Sequence, residues 1–95
     1  MAAYIVFTKE REHDAAAMAD YAAKASASTA GHPIKPLAFY GAIETLEGPE
    51  AAGAVIIEFP TVEDARAWYN SPAYQDARQH RFRGADYRVF ITQGL

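Results

Sequence analysis

Four runs rich in β-branched and aromatic residues, separated by two helical stretches in the order strand, helix, strand, strand, helix, strand, predict an α+β fold. The expected architecture is a ferredoxin-like βαββαβ sandwich, an antiparallel sheet with its helices on one face. Two further observations support that order. The two strand–helix–strand halves are of similar length, and only the second and third strands are joined by turn residues without an intervening helix, which suits a hairpin.

The first strand is residues 3–8 (AYIVFT), closed by the charged run Lys9-Glu10-Arg11-Glu12, which reads as a turn. Asp14 then caps an alanine-rich helix reaching about Thr29, with Ala17, Met18, Tyr21, Ala22 and Ala25 at helical spacing. Gly31 ends it and Pro33 and Pro36 prevent its resumption, so residues 30–36 form a stiff loop carrying His32. Residues 37–46 (LAFYGAIETL) read as the second strand, with Gly41 marking a bulge or close approach. Turn residues around Gly48 and Pro49 lead into the third strand, residues 54–59 (AVIIEF), which Pro60 closes. Thr61 caps the second helix, with Asp64 in a weak version of the capping box. Ser71-Pro72 restarts that helix, which runs on to Gly84. Residues 87–92 (YRVFIT) form the fourth strand.

Residues 1–95 are expected to form a single domain, and their composition sharpens the picture. A chain this short buries only about 60% of its unfolded surface. Its 51% apolar content is more than one small core holds. The excess sits on the strands: Val55, Ile56 and Ile57 do not alternate, and strand one is apolar on both sides, whereas the helices cover one face only. A homodimer packed sheet to sheet about a two-fold axis is the economical cover. A net charge of −3 speaks against nucleic acid as a partner. No apolar run is long enough to span a membrane and the first residues lack a signal-peptide pattern. The absence of cysteine excludes disulfides and thiol chemistry and fits a cytoplasmic protein.

Several short runs carry a resemblance: Ile57-Glu58-Phe59-Pro60, Ala65, Ala67-Trp68-Tyr69, Ser71-Pro72, Tyr74-Gln75 and Arg81, with Leu46-Glu47-Gly48 before them and Val89 to Gly94 after. In this order and spacing the chain resembles the domain-of-unknown-function 1330 family. The resemblance implies a dimeric α/β barrel, in which two ferredoxin-like subunits pack their sheets together and enclose a cavity in each half. That superfamily includes cofactor-free monooxygenases, isomerases, polyketide cyclases, haem enzymes and ligand-sensing modules, so the fold implies no single activity. Where members often carry paired glycines, this chain has Ala30-Gly31-His32-Pro33 and Tyr40-Gly41-Ala42.

Glu58 is the first catalytic candidate: with Phe59 under the helices, it is expected to point into the cavity, where burial suits a carboxylate to general-base work. The competing reading is an ion pair with Arg81 or Arg88. His32, held in a Gly-His-Pro loop, is the second candidate base. Arg81, which matches the family pattern, and Tyr40 are expected ligand contacts; Trp68 and Tyr74 belong to an aromatic lining that also reads as plain core. Arg78, Arg81, Arg83 and Arg88 suit an anion, or simply the C-terminal charge of a helix. Asp76 and His80 share a helix face without a third ligand, so no metal site is expected, and no cofactor is called for. No Gly-rich phosphate loop or nucleophile elbow is present. Two readings remain: an enzyme converting a small aromatic or carboxylated metabolite without cofactor, and a non-catalytic ligand-binding or interaction module.

Overall fold

The computed structural model describes residues 1–95. The chain runs β1 (Ala3–Glu12), α1 (Ala15–Ala27), β2 (Lys35–Phe39), β3 (Gly53–Phe59), α2 (Val62–Tyr69), α3 (Pro72–Gly84) and β4 (Ala85–Gln93). The strands form one antiparallel sheet in the order β2-β3-β1-β4. This is the ferredoxin-like α+β arrangement, with β3 between β1 and β2 and β1 between β3 and β4. No helix is long and apolar enough to cross a membrane.

The caps act where their chemistry places them. The Asp14 carboxylate accepts from the Ala16 and Ala17 amides at 3.0 and 3.1 Å, satisfying the free donors of α1. Thr61 accepts from the Asp64 amide at 3.1 Å, and Ser71 caps α3 with Pro72 in its first turn. Gly84 closes α3 against α1, because a side chain there would collide with Met18.

Period-two alternation sorts the sheet into two faces. Ala3, Ile5, Phe7, Val55, Ile57 and Phe59 are buried beneath the helices and join Trp68, Tyr74 and Ala77 in the core. The other face has no helix over it, and the molecule is only 17 Å through its short axis against 32 and 31 Å along the others. The register lays Ile56, Val6 and Phe90 in one row across that face.

Three strand boundaries differ from expectation. β1 continues to Glu12 because its charged end pairs with β4 beyond the core, after a bulge between Lys9 and Arg11. β4 correspondingly starts at Ala85 and ends at Gln93. β2 lies earlier and is shorter: it starts at Lys35, includes Pro36, is irregular between Pro36 and Ala38, and stops at Phe39. Strands β2 and β3 do pair, but across a long connection rather than a tight turn. Tyr40 leaves the strand at φ 52°, a left-handed conformation that costs a tyrosine about 1 kcal/mol. Residues 41–52 then form no regular element.

Asp76 on α3 reaches Lys24 on α1 at 3.0 Å, and the ammonium holds its carboxyl below the ordinary value of 3.8. A depressed carboxyl contributes stability above its unfolded value and loses it as pH falls through the folded one. Asp76→Asn is therefore expected to flatten the acid limb of a melting-temperature profile below about pH 4 while changing little at neutral pH, where an exposed pair contributes little.

Candidate functional site

A pocket of about 460 Å³ opens between α1 and the β2–β3 side of the sheet, on the helical face. Phe7 and Trp68 line its inner part and Met18, Tyr21 and Ala25 line it from α1. Ile34, Phe39 and Tyr40 bound it on the β2 side. The volume lies in the range of small-molecule sites. Gly53 is required here: a Cβ at this position would come within 2.9 Å of the Tyr40 ring, so glycine lets that ring lie across β3.

The polar groups are few and organised in pairs. The Tyr21 and Tyr74 hydroxyls meet at 2.8 Å and the Tyr40 and Tyr87 hydroxyls at 2.5 Å. Burial, reinforced by Tyr74, pushes Tyr21 far above its ordinary value. Burial, then the hydrogen bond with Tyr40, does the same for Tyr87, and burial also raises Tyr74. All three therefore stay protonated at physiological pH. Within each pair one hydroxyl donates to the other, which leaves one hydroxyl proton unused by the pair, and one member of each pair, Tyr21 and Tyr40, lines the pocket. Among the lining residues, Glu12 pairs with Lys9 at 3.1 Å, and the Lys9 ammonium lies 5.3 Å from the centre of the Tyr40 ring.

Trp68 is held from three sides. Its ring centre is 4.1 Å from that of Tyr74 and 5.9 Å from that of Phe59, and its indole N–H donates to Ser28 Oγ at 3.2 Å. Tyr74 has no exposed surface and lies behind Tyr21. Removing the partner of a buried hydroxyl costs about 1–3 kcal/mol. Tyr21→Phe is expected to lower the urea midpoint accordingly, and adding Tyr74→Phe to recover most of that loss, a coupling that a double-mutant cycle measures.

Arg81 is buried, at 3% exposure, and has no carboxylate partner. Its guanidinium sits among the rings of Tyr87 at 5.1 Å, Phe82 at 5.2 Å, and Phe7 and Tyr21 at 5.9 Å each. It stands one layer behind the pocket wall, since Phe7 and Tyr21 are lining residues. Arg78 lies apart, stacked between Tyr69 and Phe82 and bonded to Gln75.

The geometry thus brings together Tyr40, Trp68, Tyr74 and Arg81. It does not bring Glu58 or His32 to the pocket. Phe59 does pack under the helices, but the pocket lies on that same face, so alternation turns Glu58 to the open face, opposite Tyr4 on β1 and Lys35 on β2. Glu58 also pairs with neither Arg81 nor Arg88: Arg81 is on the helical side, and Arg88 faces Thr8, four residue pairs along the β1 ladder from Tyr4. His32 is half-buried in the α1–β2 loop beside lining residues Thr29 and Ile34, and is not itself part of the wall. Tyr21 and Tyr87 were not singled out in the sequence, although the helical spacing of Tyr21 beside Met18 and Ala25 was visible there.

Solved structures share the fold. One of a protein of unknown function from Rhodopseudomonas palustris has a TM-score of 0.75 and 20% identity, covering 99% of this chain and 82% of that one. A dimeric protein of unknown function with a ferredoxin-like fold from Bacteroides fragilis gives 0.67 at 12%, covering 98% and 96%. SnoaB, a cofactor-independent oxygenase from Streptomyces nogalater, gives 0.68 at 10%, covering 99% and 93%. No curated protein matches the chain in sequence. The model of the domain of unknown function DUF1330 matches residues 2–95, and the chain belongs to that family.

Proposed function

We propose that this protein is a cytoplasmic homodimer, each copy a single domain of residues 1–95, that binds a small, flat, largely apolar molecule between α1 and the sheet. The observation that carries the binding reading is the pocket itself: about 460 Å³, walled by aromatic rings, with paired tyrosine hydroxyls as its convergent polar groups. In this reading Trp68 and Tyr40 touch the ligand, Tyr74 fixes Tyr21, and Arg81 sets the potential behind them. The dimer reading rests on the open sheet face, whose central row of Val6, Ile56 and Phe90 has no cover within one chain. Glu58, Lys35 and Arg88 then belong to the rim of that interface. The compartment rests on the cysteine-free composition.

The test is a thermal-shift panel of fused-ring phenols, aromatic acids and their neutral analogues on the intact protein. Binders are expected to raise the melting temperature by several degrees once well above their dissociation constants. Ala25→Phe, which fills the pocket from α1, should abolish that shift while leaving the protein folded. A panel without any shift in the native protein removes the reading.

A second reading, conversion of the ligand without a cofactor, is favoured by the tyrosine pair Tyr40–Tyr87, whose spare proton can steady an oxyanion. SnoaB supports it by analogy of fold. Turnover of any ligand from the panel, lowered in Tyr87→Phe more than binding is, would favour conversion over simple capture.

A further inference from the structure

We infer that the ligand of this pocket is an anion, with its charged oxygen seated at the Tyr40–Tyr87 hydroxyl pair in front of Arg81. The inference rests on the pocket reading above and adds the charge of what fills it. A guanidinium removed from water needs compensating charge or a full set of hydrogen bonds. Arg81 has neither: no carboxylate reaches it, and its Nε is buried without an acceptor. The four surrounding rings offer negative π faces, which offset a buried cation only in part.

The hydroxyls extend that field toward the pocket. Tyr87 has its ring nearest the guanidinium, at 5.1 Å, and its hydroxyl meets that of Tyr40, a lining residue. Either hydroxyl can donate. A carboxylate or enolate oxygen arriving there accepts the spare proton of the pair and gains the attraction of Arg81 behind it. Glu12, the carboxylate on the lining, works against an anion here and also helps to raise Tyr87, and Lys9 at 3.1 Å offsets that charge in part. The apolar remainder of the wall takes the ligand's rings.

The experiment compares 2-naphthoate with 2-naphthamide, which share shape and differ in charge, by titration calorimetry at neutral pH. Naphthoate is expected to bind the native protein about tenfold tighter or better. That preference should vanish in Arg81→Met, shrink in Tyr87→Phe and persist in Arg81→Lys. Should Arg81→Met not fold, the native protein and Tyr87→Phe carry the comparison. Equal affinities in the native protein, or a full preference in Arg81→Met, overturn the inference and leave the pocket reading standing. If neither probe binds and the panel above is also silent, the pocket reading falls and this inference with it.

Discussion

Trp68→Ala is expected to remove about 3–5 kcal/mol of stability, within the range for truncating a buried large aromatic. Trp68 is 3% exposed and contacts both layers: Phe7 and Phe59 from the sheet, Tyr74 from α3, and Ser28 at the end of α1. Truncation would leave a void beneath the pocket and strip Ser28 Oγ of its donor. Each kcal/mol corresponds to about 4–8 °C in a domain of this size, so the loss would consume most of an ordinary stability margin. Urea unfolding should show a lower midpoint with an unchanged slope. Trp68→Phe keeps the ring and should lose markedly less. A midpoint unmoved in the Ala variant would contradict the packing described.

If the proposed sheet-to-sheet homodimer forms, Val6→Asp is expected to convert it to a monomer of 10.4 kDa by sedimentation at micromolar concentration. Val6 lies at the centre of the open face, between Ile56 and Phe90, the latter 49% exposed within one chain. A sheet-to-sheet interface places that row near its two-fold axis, so both copies would bring an unpaired carboxylate into the same apolar space. The helical side of β1 is untouched, so the circular dichroism spectrum should be preserved. Ile56→Val, which keeps the surface apolar, should remain dimeric. If Val6→Asp sediments unchanged, the copies associate elsewhere.

Much of this fold was legible because local chemistry and tertiary need agree. Asp14, Thr61 and Ser71-Pro72 cap helices where such residues cap them in isolation, and the unalternating Val55-Ile56-Ile57 run shows as one buried face and one apolar face with no helix over it. β2 was misplaced for a physical reason. Pro36 discourages a strand, yet an edge strand tolerates a missing amide, while Ile43 and Leu46 look strand-like but lie before β3 begins at Gly53 and find no ladder partner. The charged end of β1 misled in the opposite way, since polar residues pair well enough beyond the core. At the site, Arg81, Tyr40, Trp68 and Tyr74 could be picked out, because large aromatics stand out and Arg81, within a cluster of four arginines, matches the family pattern. Glu58 could not be placed, since alternation says which residues share its face but not which face holds the cavity. The partners Tyr21 and Tyr87 come from different ends of the chain, and only folding shows that their hydroxyls meet Tyr74 and Tyr40.

The short β2 has a consequence for what the sheet can join. An exposed sheet edge is a template for foreign strands. On the β2 side that template is blunted three ways: the strand has five residues, Pro36 lacks an amide proton, and the ladder is irregular beside it. The nine-residue β4 at the opposite edge has no proline and pairs with β1 without a break from Ala3 through Lys9. The sheet is therefore polar in its capacity to grow. Strand exchange and misassembly at high concentration are directed to the β4 side, and a charge or proline on the outer edge of β4 is the rational way to make this protein more soluble.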